Sequence, residues 1–428
     1  MKNGADDSMK RTTRGRRSTD SDSGKNVDIK IKHWKLRLVF VILFAIVGIS
    51  ALANGVLGLL SSDDGWQEIE ADSSSTGNNG SEFIFEYYLG ASGLSVSAEK
   101  KALISLYTSA LETAYQNFHN EESFDGVNNI CYINAHPNEE IVVDDILYDA
   151  FALMEESGGR QLYLGPIYTE YNNLFYCNDD WETAEYDPYQ NEEVAEYFAE
   201  ILSYASSDEQ IELRLLGDNT IMLYVSDEYL AYAKETGFLS YIDFFWMKNA
   251  FIIDYLADTL IENGYTLGAI SSYDGFVRNL DTSGTEWTFN IYNRVEQTVY
   301  QAASMEYEGA RSIVFLRDYM MNSSFDVQHY YELEDGEFRT AYIDTADGYC
   351  KSSIDSLVSY SENLGCAEIL LRMLPIYIAD EFDADALEEL REDGIYSIYC
   401  EEQVIYCNDP DVSITDLYDE DDVTYVLE

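Results

Sequence analysis

Residues 248–280 read KNAFIIDYLADTLIENGYTLGAISSYDGFVRNL. From Lys248 to Asn263 the apolar positions recur at helical spacing. Ile252, Leu256, Thr259 and Leu260 share one face, while Asp254, Asp258 and Glu262 share another. Gly264 follows directly, where a helix needs a residue that tolerates a left-handed stop. Two short apolar runs come next, Leu267 to Ser271 and Phe276 to Leu280, each the length of a strand. One amphipathic helix running into two strands predicts a chain that mixes both element types.

Working outward, the same alternation holds. Helical period marks Ala98 to Asn117, Asp144 to Glu155, Asn191 to Tyr204, Leu364 to Ala379 and Ala384 to Asp393. Strand-like runs lie at Gln210 to Leu216 and Thr220 to Val225, split by the turn Gly217-Asp218-Asn219, and at Glu286 to Asn293 and Ser312 to Leu316. Gly394 to Tyr399 and Gln403 to Tyr406 close with a short β pair. Helices interleave with strands and no fixed-period repeat occurs, so the expected class is mixed α/β (α+β).

Charge divides the chain. Residues 1–37 hold eleven basic and five acidic side chains, a net +6; the remainder carries -61 of the total -55. Between the two, Leu38 to Leu60 contains no charged residue. As a helix this run would span about 34 Å, against about 30 Å for a hydrocarbon core. The basic side is expected to stay in the cytoplasm and the acidic bulk to lie outside. A retained transmembrane helix is preferred over a cleaved signal at Ala51-Leu52-Ala53, because the apolar run continues to Leu60. The expected layout is therefore a basic cytoplasmic segment 1–37, a membrane span 38–60, a Gly/Ser-rich flexible linker 61–82, a globular domain 83–408 and a frayed acidic tail 409–428.

The acidity excludes nucleic acid as a partner, since phosphates need stripes of Lys and Arg. Six cysteines, all beyond residue 130, permit disulfides with fifteen pairings; scattered buried thiols are the alternative. Asp344-Thr345-Ala346-Asp347-Gly348 matches a calcium loop only in part. There is no nucleophile elbow, Walker loop, zinc helix or dinucleotide glycine motif.

The order of several segments nonetheless resembles the FAD:protein FMN transferase family, often called ApbE, over about residues 85 to 408. Ile133-Asn134-Ala135 is similar to its early LNA element. Ser157-Gly158-Gly159 followed by Gly165-Pro166-Ile167 is similar to its SGG and GPL elements. Lys248 and Asp254 fall where the family has GGIAKGYAVD. Gly264-Tyr265-Thr266 and the stretch from Ile270 to Gly275 take the place of its VNLGGNI strand and turn. Tyr342-Ile343-Asp344 with Gly348 resembles HIIDPKTG, and Cys366 to Arg372 stands for xADALATA.

The resemblance implies an ApbE-like extracytoplasmic domain and, for active members, magnesium-dependent transfer of FMN from FAD to a threonine of a partner protein. It implies cofactor contacts at Ser157, Gly158, Lys248, Asp254 and Asp344, and metal positions at Glu368 and Arg372. The departures sit at those places. Phe244 and Phe245 replace paired glycines, Tyr273 and Asp274 replace another pair, and Glu368 and Arg372 stand where the family has an Asp and a Thr. The expectation is a membrane-anchored surface module whose FAD and magnesium site has degraded, with a protein partner at the cell surface; the alternative is an active, divergent transferase. Glu368 and Arg372, four apart with the acid first, are expected to pair.

Overall fold

The computed structural model describes residues 64–73, 79–321, 325–420 and 422–428, which fall within one compact unit. The basic segment 1–37 and the expected span 38–60 lie outside them. Among the described residues no helix is long and apolar enough to cross a membrane.

A nine-stranded sheet forms the middle layer. Its order is Gly65–Glu68, Phe83–Leu89, Gly268–Ser272, Phe276–Asn279, Arg311–Arg317, Ser356–Ser361, Tyr396–Glu401, Val404–Cys407 and Val426–Leu427. Neighbouring strands run antiparallel except the last pair, which is parallel. The two-residue period of a strand sends alternate side chains to opposite faces. On the Arg311–Arg317 strand, Val314 and Leu316 join the larger core on the helical side, while Ile313 and Phe315 join a second core on the other side.

The helical face is covered by Val96–Phe118, Asp145–Ser157, Lys248–Glu262 and Cys366–Tyr377. Lys248–Glu262 is central: Ile252, Ile253, Leu256 and Leu260 are buried on it, as the helical spacing requires. The opposite face is covered by the long hairpin Glu286–Val295 and Thr298–Glu308, whose Trp287, Phe289 and Met305 fill the second core. Mixed α/β is thus the observed class.

Two expected boundaries are corrected. The segment 61–82, expected as a flexible linker, contributes the strand Gly65–Glu68, paired in register with Phe83–Leu89. Its Ile69 is buried and its Trp66 ring lies 5.3 Å from that of Trp287, so these apolar residues anchor it. The tail 409–428, expected to fray, adds Ser413–Thr415 to the hairpin and Val426–Leu427 to the main sheet. Val423 and Tyr425 are buried there, an apolar pair that the surrounding acids concealed. All six cysteines are free thiols, so the scattered-thiol alternative describes the structure.

Candidate functional site

The N-terminus of the Lys248–Glu262 helix gathers the residues that the sequence singled out around Lys248. The chain enters it through Phe244 and Phe245. Phe244 packs in the core, its ring 5.0 Å from Phe118 and 4.9 Å from Phe251. Phe245 has φ +47, in the left-handed region that favours glycine, and stacks on Tyr168 at 4.8 Å. Buried Asp243 holds this turn: its Oδ1 accepts from the Phe245 amide at 2.8 Å, and its Oδ2 accepts from Asn120 Nδ2. Burial raises the Asp243 pKa, and those two hydrogen bonds and Lys248 pull it back. Lys248 Nζ itself is 3.7 Å from Glu82 Oε2, on a half-exposed side chain.

Across from this turn, Tyr273 stacks on Phe325 at 4.2 Å with nearly parallel rings. Asp274 Oδ2 accepts from Asn249 Nδ2 at 2.9 Å, and Glu82 Oε2 accepts from the same nitrogen at 3.1 Å. Burial and the neighbouring Glu82 charge push the Asp274 pKa up to about 6, against the pull of Ser272 and Asn249. His329 lies beside them with its pKa pushed down to about 3, first by burial and then by Lys248 and Arg317. Glu82, Asn249, Tyr273, Asp274, Arg317 and His329 line a chamber of about 10 Å³, room for one water-sized particle. A drug-sized ligand pocket is roughly 300–1,000 Å³.

Asp254 belongs to a different place. Its Oδ1 accepts from Arg278 Nη1 at 2.6 Å and from the Cys366 amide at 2.8 Å; its Oδ2 accepts from the Ala367 amide at 2.8 Å. It therefore caps the Cys366–Tyr377 helix and joins the two central helices. Burial raises its pKa, opposed by Arg278 and the two amides. Gly365 is required here, because a Cβ at that position would run into the Asp254 carboxylate. Asp254, Arg278 and Glu368 line an open cleft of about 320 Å³.

The metal positions of the resemblance form an ion pair. Arg372 Nη2 donates to Glu368 Oε1 at 2.6 Å and Nη1 donates to Asp393 Oδ2 at 3.0 Å. A guanidinium bound to this carboxylate repels a divalent cation, so magnesium does not fit as it would beside an Asp and a Thr. At the Lys248 end, the residues that the resemblance sets in place of glycines are Phe244, Phe245, Tyr273 and Asp274, and the chamber lined by the last two, at about 10 Å³, does not fit FAD.

The remaining candidates have local roles. Ser157 Oγ donates to the Met154 carbonyl at 2.7 Å, and Gly158 at φ +65 ends the Asp145–Ser157 helix. Asp344 and Gly348 form a turn in which the Gly348 amide donates to the Asp344 carbonyl. In place of a calcium ion, Lys351 Nζ sits 2.8 Å from Asp344, 2.7 Å from Asp347 and 2.6 Å from Asp380. Thus the structure brings Lys248 to Glu82, which lines the chamber with Tyr273 and Asp274, and sets Asp254 beside Glu368 on the open cleft. It assigns Ser157, Gly158 and Asp344 to chain turns. Sequence reading missed Glu82, Asn249 and His329, which no motif marks.

No protein-family model matches the chain, and no curated protein sequence matches it. Solved structures do. The ApbE protein of Thermotoga maritima superposes with a TM-score of 0.51 at 13% identity, covering 82% of this chain and 97% of that one. Flavin transferase ApbE from Vibrio cholerae gives 0.46 at 12% identity, and a point mutant of it gives 0.47 at 13%; each covers 78% of this chain and 92% of its own. The Thermotoga likeness establishes an ApbE-like fold.

Proposed function

We propose that this chain is a non-catalytic module on an ApbE-like fold, carried on the outer face of a cell membrane and presented to a protein partner there. The observation that carries this reading is how little space remains at the start of the Lys248–Glu262 helix, a chamber of about 10 Å³. Three of the four side chains standing for cofactor-facing glycines are aromatic and engaged with Phe118, Tyr168 and Phe325; the fourth, Asp274, is bonded to Asn249. Phosphoryl-group transfer also needs cationic charge to offset charge developing on the phosphate oxygens. At the metal position the available cation is Arg372, already held by Glu368 and Asp393.

The test uses the full chain in detergent with FAD and magnesium, following AMP release and the mass of the protein and of a threonine-containing acceptor peptide. The expected result is intact FAD and no added flavin mass. Magnesium-dependent AMP release would establish the divergent-transferase alternative instead. The membrane placement rests on the +6 to -61 charge change across Leu38 to Leu60. Protease added to intact cells should digest the acidic domain; a protected domain would refute that placement.

A further inference from the structure

The chamber below Tyr273 is short of a positive charge. The side-chain amide of Asn249 has one orientation available. Its Nδ2 donates to both Glu82 Oε2 and Asp274 Oδ2, and turning the amide over would set its oxygen against two carboxylates. Asn249 is 4% exposed, and with Nδ2 so engaged its Oδ1 is a buried acceptor that no donor among the described residues reaches. Asp274 Oδ1 is a second buried oxygen on the same chamber without a well-formed hydrogen bond among the described residues, although the Ser272 hydroxyl lies near that carboxylate. Leaving a buried acceptor unsatisfied is costly, so these oxygens on one chamber point to an occupant that they would bind.

The surrounding cations are committed elsewhere. Arg317 donates through Nε to the Tyr319 carbonyl at 3.1 Å and through Nη2 to Asp326 at 2.6 Å. Lys248 approaches Glu82 at 3.7 Å and does not reach Asp274. Glu82 and Asp274 therefore place two carboxylates around one amide nitrogen, and among the described residues the lysine nearest to balance them is the half-exposed Lys248. The donors are all oxygen: two carboxylates and an amide carbonyl. Hard divalent cations select that set. A chamber of about 10 Å³ admits one ion and nothing of nucleotide size.

We propose that Glu82, Asn249 and Asp274 form a site for a single hard cation of the calcium and magnesium class, separate from Glu368 and Arg372. The ion would be held by the free oxygens of Asp274 and Asn249 with Glu82 completing the charge, fastening the Phe83–Leu89 end of the sheet to the central helix. This site does not depend on the flavin reading, and its test does not use flavin.

The test is equilibrium dialysis of the full chain in detergent against calcium, and separately magnesium, at fixed ionic strength high enough to screen surface carboxylates. Wild type should retain one equivalent of ion with an affinity at least tenfold tighter than the diffuse remainder. Asp274→Asn and Glu82→Gln should each lose that equivalent, and Arg372→Thr should keep it. The Glu82→Gln change lies on a partly exposed side chain, so it reports even where Asp274→Asn does not fold. Circular dichroism of each variant confirms the fold. Wild type and Glu82→Gln with the same stoichiometry and affinity would overturn the proposal and leave a bound water as the occupant.

Discussion

Replacing Asp254 by alanine should destabilise the domain strongly, whatever happens to any ligand. Its carboxylate makes three bonds at once: to Arg278 and to the first two amides of the Cys366–Tyr377 helix. Loss of a capping side chain costs about 1 kcal/mol. Breaking a buried ion pair from one side costs about 3–5 kcal/mol when the remaining charge has no other partner. Arg278 keeps Asp258 at 3.0 Å, a largely exposed carboxylate, so only part of that penalty applies. The expected total is about 3 kcal/mol, read from urea unfolding as a lower midpoint with an unchanged slope. Gly365 sharpens the test. Gly365→Ala should destabilise the wild type, since its Cβ meets the Asp254 carboxylate, and should cost less once Asp254 is alanine. The double-mutant cycle should give a coupling of about 1 kcal/mol or more. A loss below about 1 kcal/mol for Asp254→Ala, or simple additivity with Gly365→Ala, would refute the capping role and return Asp254 to the cofactor-contact role that the resemblance implies.

Three further outcomes are expected. Arg372→Thr removes a pair that is over one third exposed on the Arg side, so it should cost only about 0.3–1 kcal/mol by thermal or urea unfolding; a loss above 2 kcal/mol would mean a more buried role. Phe245→Gly should be more stable than Phe245→Ala by about 1 kcal/mol, because both lose the Tyr168 stack but only glycine accepts φ +47 without strain. Asp318, whose pKa is pushed up to about 7 by burial and Asp355, holds its proton in the folded chain where the unfolded chain, at its ordinary 3.8, does not. Its contribution is therefore full below about pH 4 and lost as pH rises toward 7. The stability of Asp318→Asn relative to wild type should accordingly grow between pH 5 and pH 8; a pH-independent difference would contradict the assigned titration.

What the sequence alone determined is what acts within a few residues. The helical period from Lys248 onward, the stop at Gly264 and the turn at Gly217-Asp218-Asn219 all appear in the fold because each rests on local spacing. The Glu368–Arg372 pair was legible for the same reason, since i and i+4 meet on any helix. The strand Ser356–Ser361 was not, because its serines look polar until Ser359 meets the Ser397 hydroxyl at 2.9 Å inside the sheet. Nor were the anchored ends of the domain, where Trp66 and Tyr425 find partners far along the chain. Asp254 bonds an amide 112 residues away, and Asp274 meets Asn249 and Glu82 only because the strand Gly268–Ser272 lies beside Phe83–Leu89 and the helix crosses above. Local periodicity sets which elements form. Strand order and register set which charges are buried together, and that long-range choice gathered Glu82, Asn249 and Asp274 around one small chamber.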